Sequence, residues 1–174
     1  MKYAEAVKES MLMLAQHPKT IFLGQSVAYP GNVIYKNIEP VAPEKKIELP
    51  VFEETQMGMT IGLALGGHIP VSIFPRFNFL MCAMNQVVNH LDKMPDYAGT
   101  TPHVIIKTMI GSIKPLHPGV QHCSDFTEGL KLMLNHVQVW RVETPQEVTD
   151  AYKQALEIPG SYIIVEHGDY YHER

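Results

Sequence analysis

Short apolar runs alternate with helically spaced apolar stripes along this whole chain, and no other feature restricts its possible folds so strongly. Extended runs are expected at residues 21–23, 45–51, 71–74, 103–108, 137–142 and 162–166. Between them, apolar side chains recur at helical spacing. The stripes are Tyr3, Val7, Met11 and Leu14; Met57, Ile61 and Leu65; Leu80, Met84, Val87, Val88 and Leu91; Phe126, Leu130 and Leu134; and Val148, Tyr152 and Ala155. Strand and helix in turn predict an α/β fold, three-layer α/β/α, with a mostly parallel sheet of about six strands. Strands this short and apolar fit burial on both faces. At 174 residues the chain is expected to form a single domain, residues 1–174.

Local signals place the boundaries. His17-Pro18 ends the first helix, because the residue before a proline avoids helical backbone. Thr144-Pro145-Gln146-Glu147 is a helix start with a capping box, and Pro159-Gly160 stops that helix. Residues 28–44 and 109–124 are read as long loops, and HGDYYHER after the sixth strand as a polar tail. Sheets of this class bind ligands beyond the carboxyl ends of their strands. The segments leaving those ends are 24–26, 52–55, 75–79, 109–124 and 143–144, so Glu53, Phe77, Phe79 and His122 are expected to share one edge.

The charge pattern removes several function classes. A net charge of −4 with 14 scattered Lys and Arg offers no basic stripe for nucleic acid or an anionic membrane. No apolar run approaches the roughly 20 residues that cross a bilayer, and a cytoplasmic protein is expected. Cys82 and Cys123 stand far apart, and the nine histidines form no HxH, HxxxH or HExxH pair, so neither a disulfide framework nor a protein-only metal site is expected.

The stretch from Leu49 to Gly67 concentrates the informative residues. Glu53 and Glu54 stand where a strand gives way to a helix, and Gly58, Gly62 and Gly66, four apart, leave one helix face bare for a close neighbour. Asn85, Gln86, Asn89 and Asp92 give the later helix an amide-rich face that suits a polar interface. Singly, each feature also has a plain structural use. First-turn carboxylates favour the helix dipole, phenylalanines fill cores, and no spacing backs a nucleophilic role for Cys123.

Taken in order, PVFEETQMGMTIGLALGGHIPVSIFPRFNFLMCAMNQVVNH resembles the pyrimidine-binding domain of thiamin diphosphate enzymes, in the branch of transketolase and of the beta subunit of 2-oxo acid dehydrogenases. In that family a Pro-x-x-Glu precedes a glycine-rich helix, a strand, a Phe-Asn-Phe turn and a helix holding Gln and Asn. Gly119-Val120-Gln121-His122, with Phe126 beyond, is similar to the family's Gln-His loop, and the likeness covers roughly residues 5 to 168. The resemblance implies that Glu53, not Glu54, is the catalytic glutamate that bonds a pyrimidine ring nitrogen. It implies that Phe79 packs on that ring with Phe77 as neighbour, and that His122 faces the substrate as a second catalytic residue. Gln25 stands where an acidic residue is common, and is grouped with Glu53, Phe77 and Phe79 as cofactor-binding. Asn85, Gln86 and Asn89 would line a partner contact.

The family's Gly-Asp-Gly magnesium and diphosphate site is not supplied by His167-Gly168-Asp169-Tyr170. The resemblance therefore implies half of a split enzyme: thiamin diphosphate shared with a diphosphate-binding, alpha-type subunit in trans that holds the magnesium. Homo- or hetero-oligomers are expected, with a small carbonyl compound as substrate. Ketol transfer and 2-oxo acid decarboxylation or dehydrogenation both remain open. A non-catalytic interaction or regulatory subunit that keeps the fold is the alternative, and retention of Glu53 and Phe79 favours the enzyme. A flavodoxin-like small-molecule binder is disfavoured, since no phosphate-cradling glycine loop opens a helix.

Overall fold

A computed structural model describes residues 1–30, 33–111 and 117–172, so parts of the two expected loops, including Pro115, and the last two residues of the tail lie outside the described residues. Six strands form one sheet: β1 Thr20–Gly24, β2 Lys46–Glu48, β3 Ile69–Ile73, β4 Val104–Ile110, β5 Val137–Arg141 and β6 Ser161–His167. Their order is β2-β1-β3-β4-β6-β5, and every pairing is parallel. All six expected strands are present, and the sheet is wholly rather than mostly parallel. β2 is shorter than expected, because Pro50 has no N–H to extend a ladder and the chain turns away into the next helix.

Helices cover both faces. On one side α1 (Tyr3–Gln16) packs against α7 (Pro145–Glu157), with α2 (Val33–Ile38) beside α1. Ile105 and Met109 of β4 and Tyr162 and Ile164 of β6 point into this layer. The other side holds α3 (Glu53–Leu65), α4 (Phe77–Leu80), α5 (Met94–Ala98) and α6 (Thr127–Met133) over Val104, Ile106, Ile163 and Val165. The Thr144 hydroxyl accepts from Glu147 N–H at 3.2 Å, and the Glu147 carboxylate accepts from Thr144 N–H at 3.1 Å, so the α7 capping box forms as its sequence predicts. Among the described residues no helix is long and apolar enough to cross a membrane.

Three expectations need correction. The 28–44 segment is not loop throughout, since α2 lies within it and buries Ile34 and Ile38. The helix expected to carry Leu80 to Leu91 is not continuous. It passes from α4 through a 3₁₀ turn, Met81–Ala83, into a π-helical segment, Gln86–Leu91, before α5. The wider winding takes Asp92 off the exposed amide face and buries it completely. There its Oδ1 accepts the main-chain N–H groups of Asn135, His136 and Val137 at 2.8, 2.8 and 3.1 Å. Burial alone would raise its pKa, but these bonds and the Lys93 ammonium outweigh burial and lower it.

The polar tail is the third. Gly168–His172 forms a 3₁₀ turn that buries Tyr171, whose hydroxyl joins Lys107 and Tyr152 around the carboxylate of Glu166. Lys107 and Glu166 form an ion pair inside the α1/α7 layer, their side chains 3% and 0% exposed. Burial pushes the Lys107 ammonium pKa down against the pull of Glu166, and burial with that same carboxylate pushes both phenols up. Removing one member of a buried ion pair strands the other charge, at about 3–5 kcal/mol. Lys107→Met should therefore lose stability of that order in urea unfolding. Adding Glu166→Gln should restore much of it, because no charge remains and the amide oxygen still accepts from the tyrosines.

Candidate functional site

The site lies where strand order reverses. β1 sends the chain to β2 on one side and meets β3 on the other, so the carboxyl ends of β1 and β3 flank the crevice. The two strands come very close there. A Cβ on Gly24 would stand 2.4 Å from the Ile73 carbonyl oxygen, and Gly24 has φ +150°, so only glycine fits. After it, Ser26 adopts φ +57°, and the N–H groups of Ser26, Val27 and Ala28 converge on the Glu48 carboxylate at 2.6, 2.8 and 2.8 Å. This anion clasp fixes the 24–28 turn and with it Gln25.

The first turn of α3 is anchored to the same point. Buried Gln56 donates to the Ile73 carbonyl at 3.0 Å and to Ser72 Oγ at 3.1 Å, and Thr60 Oγ1 donates to Ser72 Oγ at 2.9 Å. Three residues earlier, Glu53 turns toward β1, where the Gln25 amide donates to its carboxylate at 3.3 Å. Glu54 turns the other way. Its Oε1 accepts from Asn85 at 2.7 Å and from Gln86 at 3.0 Å, and these two bonds, Asn85 first, hold its pKa below the usual glutamate range. Adjacent carboxylates thus have separate surroundings: Glu54 is held ionised by two amides, whereas Glu53 meets one neutral donor at the crevice.

The amides expected to meet a partner are partly used within the chain. Asn85 and Gln86 hold Glu54, and Asn89 donates to Asn85 Oδ1 at 3.0 Å. Beyond β3, Phe79 is half-buried and meets the His122 imidazole edge-on, centroids 5.5 Å apart. His122 Nδ1 is buried with no hydrogen-bond partner. Phe77 is wholly buried and packs edge-to-face on Phe126 at 5.5 Å, so its ring belongs to the core and not to the crevice. Cys123 is a free, half-buried thiol. The structure therefore joins Gln25 with Glu53 and Phe79 with His122, and sets Phe77 behind them.

Two residues without an assigned role in the sequence reading hold the His122 loop. Asn78 donates to Ser124 Oγ at 3.1 Å and accepts the Ser124 N–H at 3.1 Å. Arg76 donates through Nη1 to the carbonyls of Gly111 and His122 at 3.2 and 3.0 Å. The sequence does hold a signal for it, because Arg76 is the only Asp, Glu, Lys or Arg between Glu54 and Asp92. An apolar hollow of about 270 Å³, lined by Leu49, Pro50, Phe52, Thr55, Gln56 and Met59, opens beside the α3 start. A larger cavity of about 420 Å³, near His17, His68 and His103, lies at the opposite, amino-terminal edge of the sheet and touches none of these groups.

The family model described as "Transketolase, pyrimidine binding domain" matches residues 1–172. The chain is 24% identical over 169 residues to the pyruvate dehydrogenase E1 component subunit beta of Mycoplasma pneumoniae, covering 93% of this chain and 50% of that one. It is 27% identical over 168 residues to the 3-methyl-2-oxobutanoate dehydrogenase subunit beta of Mycobacterium tuberculosis, covering 92% and 47%. The chain thus spans about half the length of the curated relatives it matches. A solved structure described as a split gene transketolase in an inactive beta4 tetramer superposes with a TM-score of 0.72 at 22% identity, over 96% of this chain and 51% of that one.

The different settings of the paired glutamates give a pH test. Glu54 should titrate below the ordinary glutamate range in carboxyl-detected NMR, and Asn85→Ala should bring it back up. Because its folded pKa is depressed, its stabilising contribution is present above the unfolded pKa and is lost as pH falls through the folded one.

Proposed function

The chain belongs to the transketolase pyrimidine-binding domain family, and we propose that it is the pyrimidine-binding subunit of a split, heteromeric thiamin diphosphate-dependent enzyme acting on a bond next to a carbonyl. The observation that carries this reading is the separation of Glu53 from Glu54 at the α3 start, with Glu53 left at the crevice between β1 and β3. An aminopyrimidine fits the residues there. A carboxyl with one weak neutral donor has oxygen free for a ring nitrogen, and the half-exposed Phe79 suits a flat ring. When bound, the cofactor would supply carbon-nucleophile and electron-sink chemistry beside a carbonyl. Glu53 holds and shares the proton at the ring nitrogen, and Gln25 steadies its carboxyl without adding charge. His122, its Nδ1 uncommitted, orients or protonates a carbonyl oxygen.

The diphosphate and magnesium are assigned to an alpha-type partner subunit, in keeping with relatives that are themselves named as subunits. Those relatives favour a 2-oxo acid reaction, decarboxylation or dehydrogenation, over ketol transfer. The partner surface is the α3 flank. Gly62 has no atom within 4 Å of where a Cβ would stand, and Val51, Phe52, Met59 and Leu65 are exposed along the same element and its approach.

Two tests follow from this assignment. In the complex reconstituted with its partner, Glu53→Gln should slow hydrogen exchange at the thiazolium carbon, followed by NMR, by about a hundredfold to ten-thousandfold. Glu54→Gln should change it little, and the reverse ranking would contradict the assignment. Gly62→Leu should fold normally, since its site is open, but should not assemble, and an unchanged size-exclusion profile would count against the proposed surface.

A further inference from the structure

Arg76 is half-buried at the carboxyl end of β3 and forms no ion pair among the described residues. Among the described residues its guanidinium bonds two main-chain carbonyls, both through Nη1. Of the five guanidinium donors those bonds use two, which leaves the three N–H groups of Nη2 and Nε without a protein acceptor among the described residues.

Holding the loop does not require this charge. Asn78 and Ser124 already clip it in both directions, and His122 N–H bonds the Gly119 carbonyl at 3.1 Å, all with neutral groups. A cation drawn partly out of water and hydrogen-bonded, among the described residues, to main-chain carbonyls has lost hydration that an anion would replace. The unused edge, Nε with Nη2, is one that receives a carboxylate side-on through two parallel bonds.

The surroundings say which anion. One anchored carbonyl belongs to His122, whose Nδ1 is buried without a partner and whose ring meets Phe79. The other belongs to Gly111, where a Cβ would stand 3.2 Å from the ring of His167, a second imidazole with an orphaned, buried Nδ1. The Asp169 carboxylate also approaches Gly111 but makes no ion pair with Arg76.

We propose that Arg76 is the residue that reads the substrate's anionic group. Its Nε and Nη2 bind the carboxylate of a 2-oxo acid and leave the adjoining carbonyl toward His122. This rests on the reading of the site as one that acts beside a carbonyl. In a 2-oxo acid the carboxylate is bonded directly to the carbonyl carbon, so a guanidinium tied to the main chain of His122 and the imidazole of that residue can address both groups. The phosphate of a sugar phosphate lies several bonds from its carbonyl and does not match an anion site anchored to the same residue that carries the imidazole.

The test is ligand-observed NMR on the full chain, with pyruvate, its neutral methyl ester and inorganic phosphate as probes, in wild type, Arg76→Gln, Arg76→Lys and Asn78→Ala. Charge-assisted hydrogen bonds are strong enough for pyruvate to bind about tenfold or more tightly than the ester. Arg76→Gln should abolish that preference and Arg76→Lys should restore part of it. Asn78→Ala, which loosens the same loop, should keep the preference, which separates anion recognition from loop support. The proposal is overturned if wild type shows no binding or no preference, if Arg76→Gln retains it, or if phosphate displaces pyruvate at lower concentration. A chain that keeps Arg76-dependent pyruvate selectivity while Glu53→Gln leaves thiazolium exchange unchanged would refute the cofactor assignment and leave this one standing.

Discussion

The approach of Gly24 to the Ile73 carbonyl is the contact on which the rest of the site depends. It sets β1 against β3 with no room for a side chain, and Gln56 closes the same junction by bonding Ile73 and Ser72. A buried amide with these partners leaves α3 one position, and that position sends Glu53 to the crevice and Glu54 to the amides of the π-helical segment. Shifting α3 by a residue would put one of the two carboxylates in the other's place and leave the vacated position to Phe52 or Thr55. Side-chain choice at Glu53 and Glu54 is thus secondary to a backbone constraint two strands wide.

Two further devices hold the edge. The Glu48 clasp on the 26–28 N–H groups fixes the turn after β1, and the Arg76 and Asn78 bonds fix the segment after β4. Four separate chain segments at this edge contribute two side-chain pairs, Gln25 with Glu53 and Phe79 with His122. Below it, the Lys107–Glu166 pair with Tyr152 and Tyr171 joins β4, β6, α7 and the 168–172 turn into a single polar node inside the α1/α7 layer. Its energy depends on completeness, because each member satisfies another that would otherwise be buried alone.

Most of the architecture was legible because its signals are local. Six strands and the helices α1, α3, α6 and α7 follow from periodicity, and the α7 start from a capping box. The Pro50 register singles out Glu53 over Glu54, and the structure gives the two carboxylates different partners, Gln25 for one and Asn85 with Gln86 for the other. What was not legible depends on contacts between distant segments. α2 is a short VIYKNI helix with β-branched and aromatic residues that read as loop, and it is held by packing against α1. Asp92 looked like part of a polar face because ideal helical winding puts it there, and only the π-helical turn and the waiting 135–137 N–H groups draw it inward. Phe77 and Phe79 look alike in sequence, yet one faces Phe126 in the core and the other His122 at the edge. The tail's polarity hid Tyr171, whose partners lie on β4 and β6.

The central claim is that this chain supplies the pyrimidine half of a cofactor site whose diphosphate half lies elsewhere. Calorimetric titration with thiamin diphosphate and magnesium, on the chain alone and mixed with a diphosphate-binding subunit, tests it most directly. The account predicts little heat from the chain alone and tight, magnesium-dependent binding in the mixture. Tight, magnesium-dependent binding to the chain alone would contradict it.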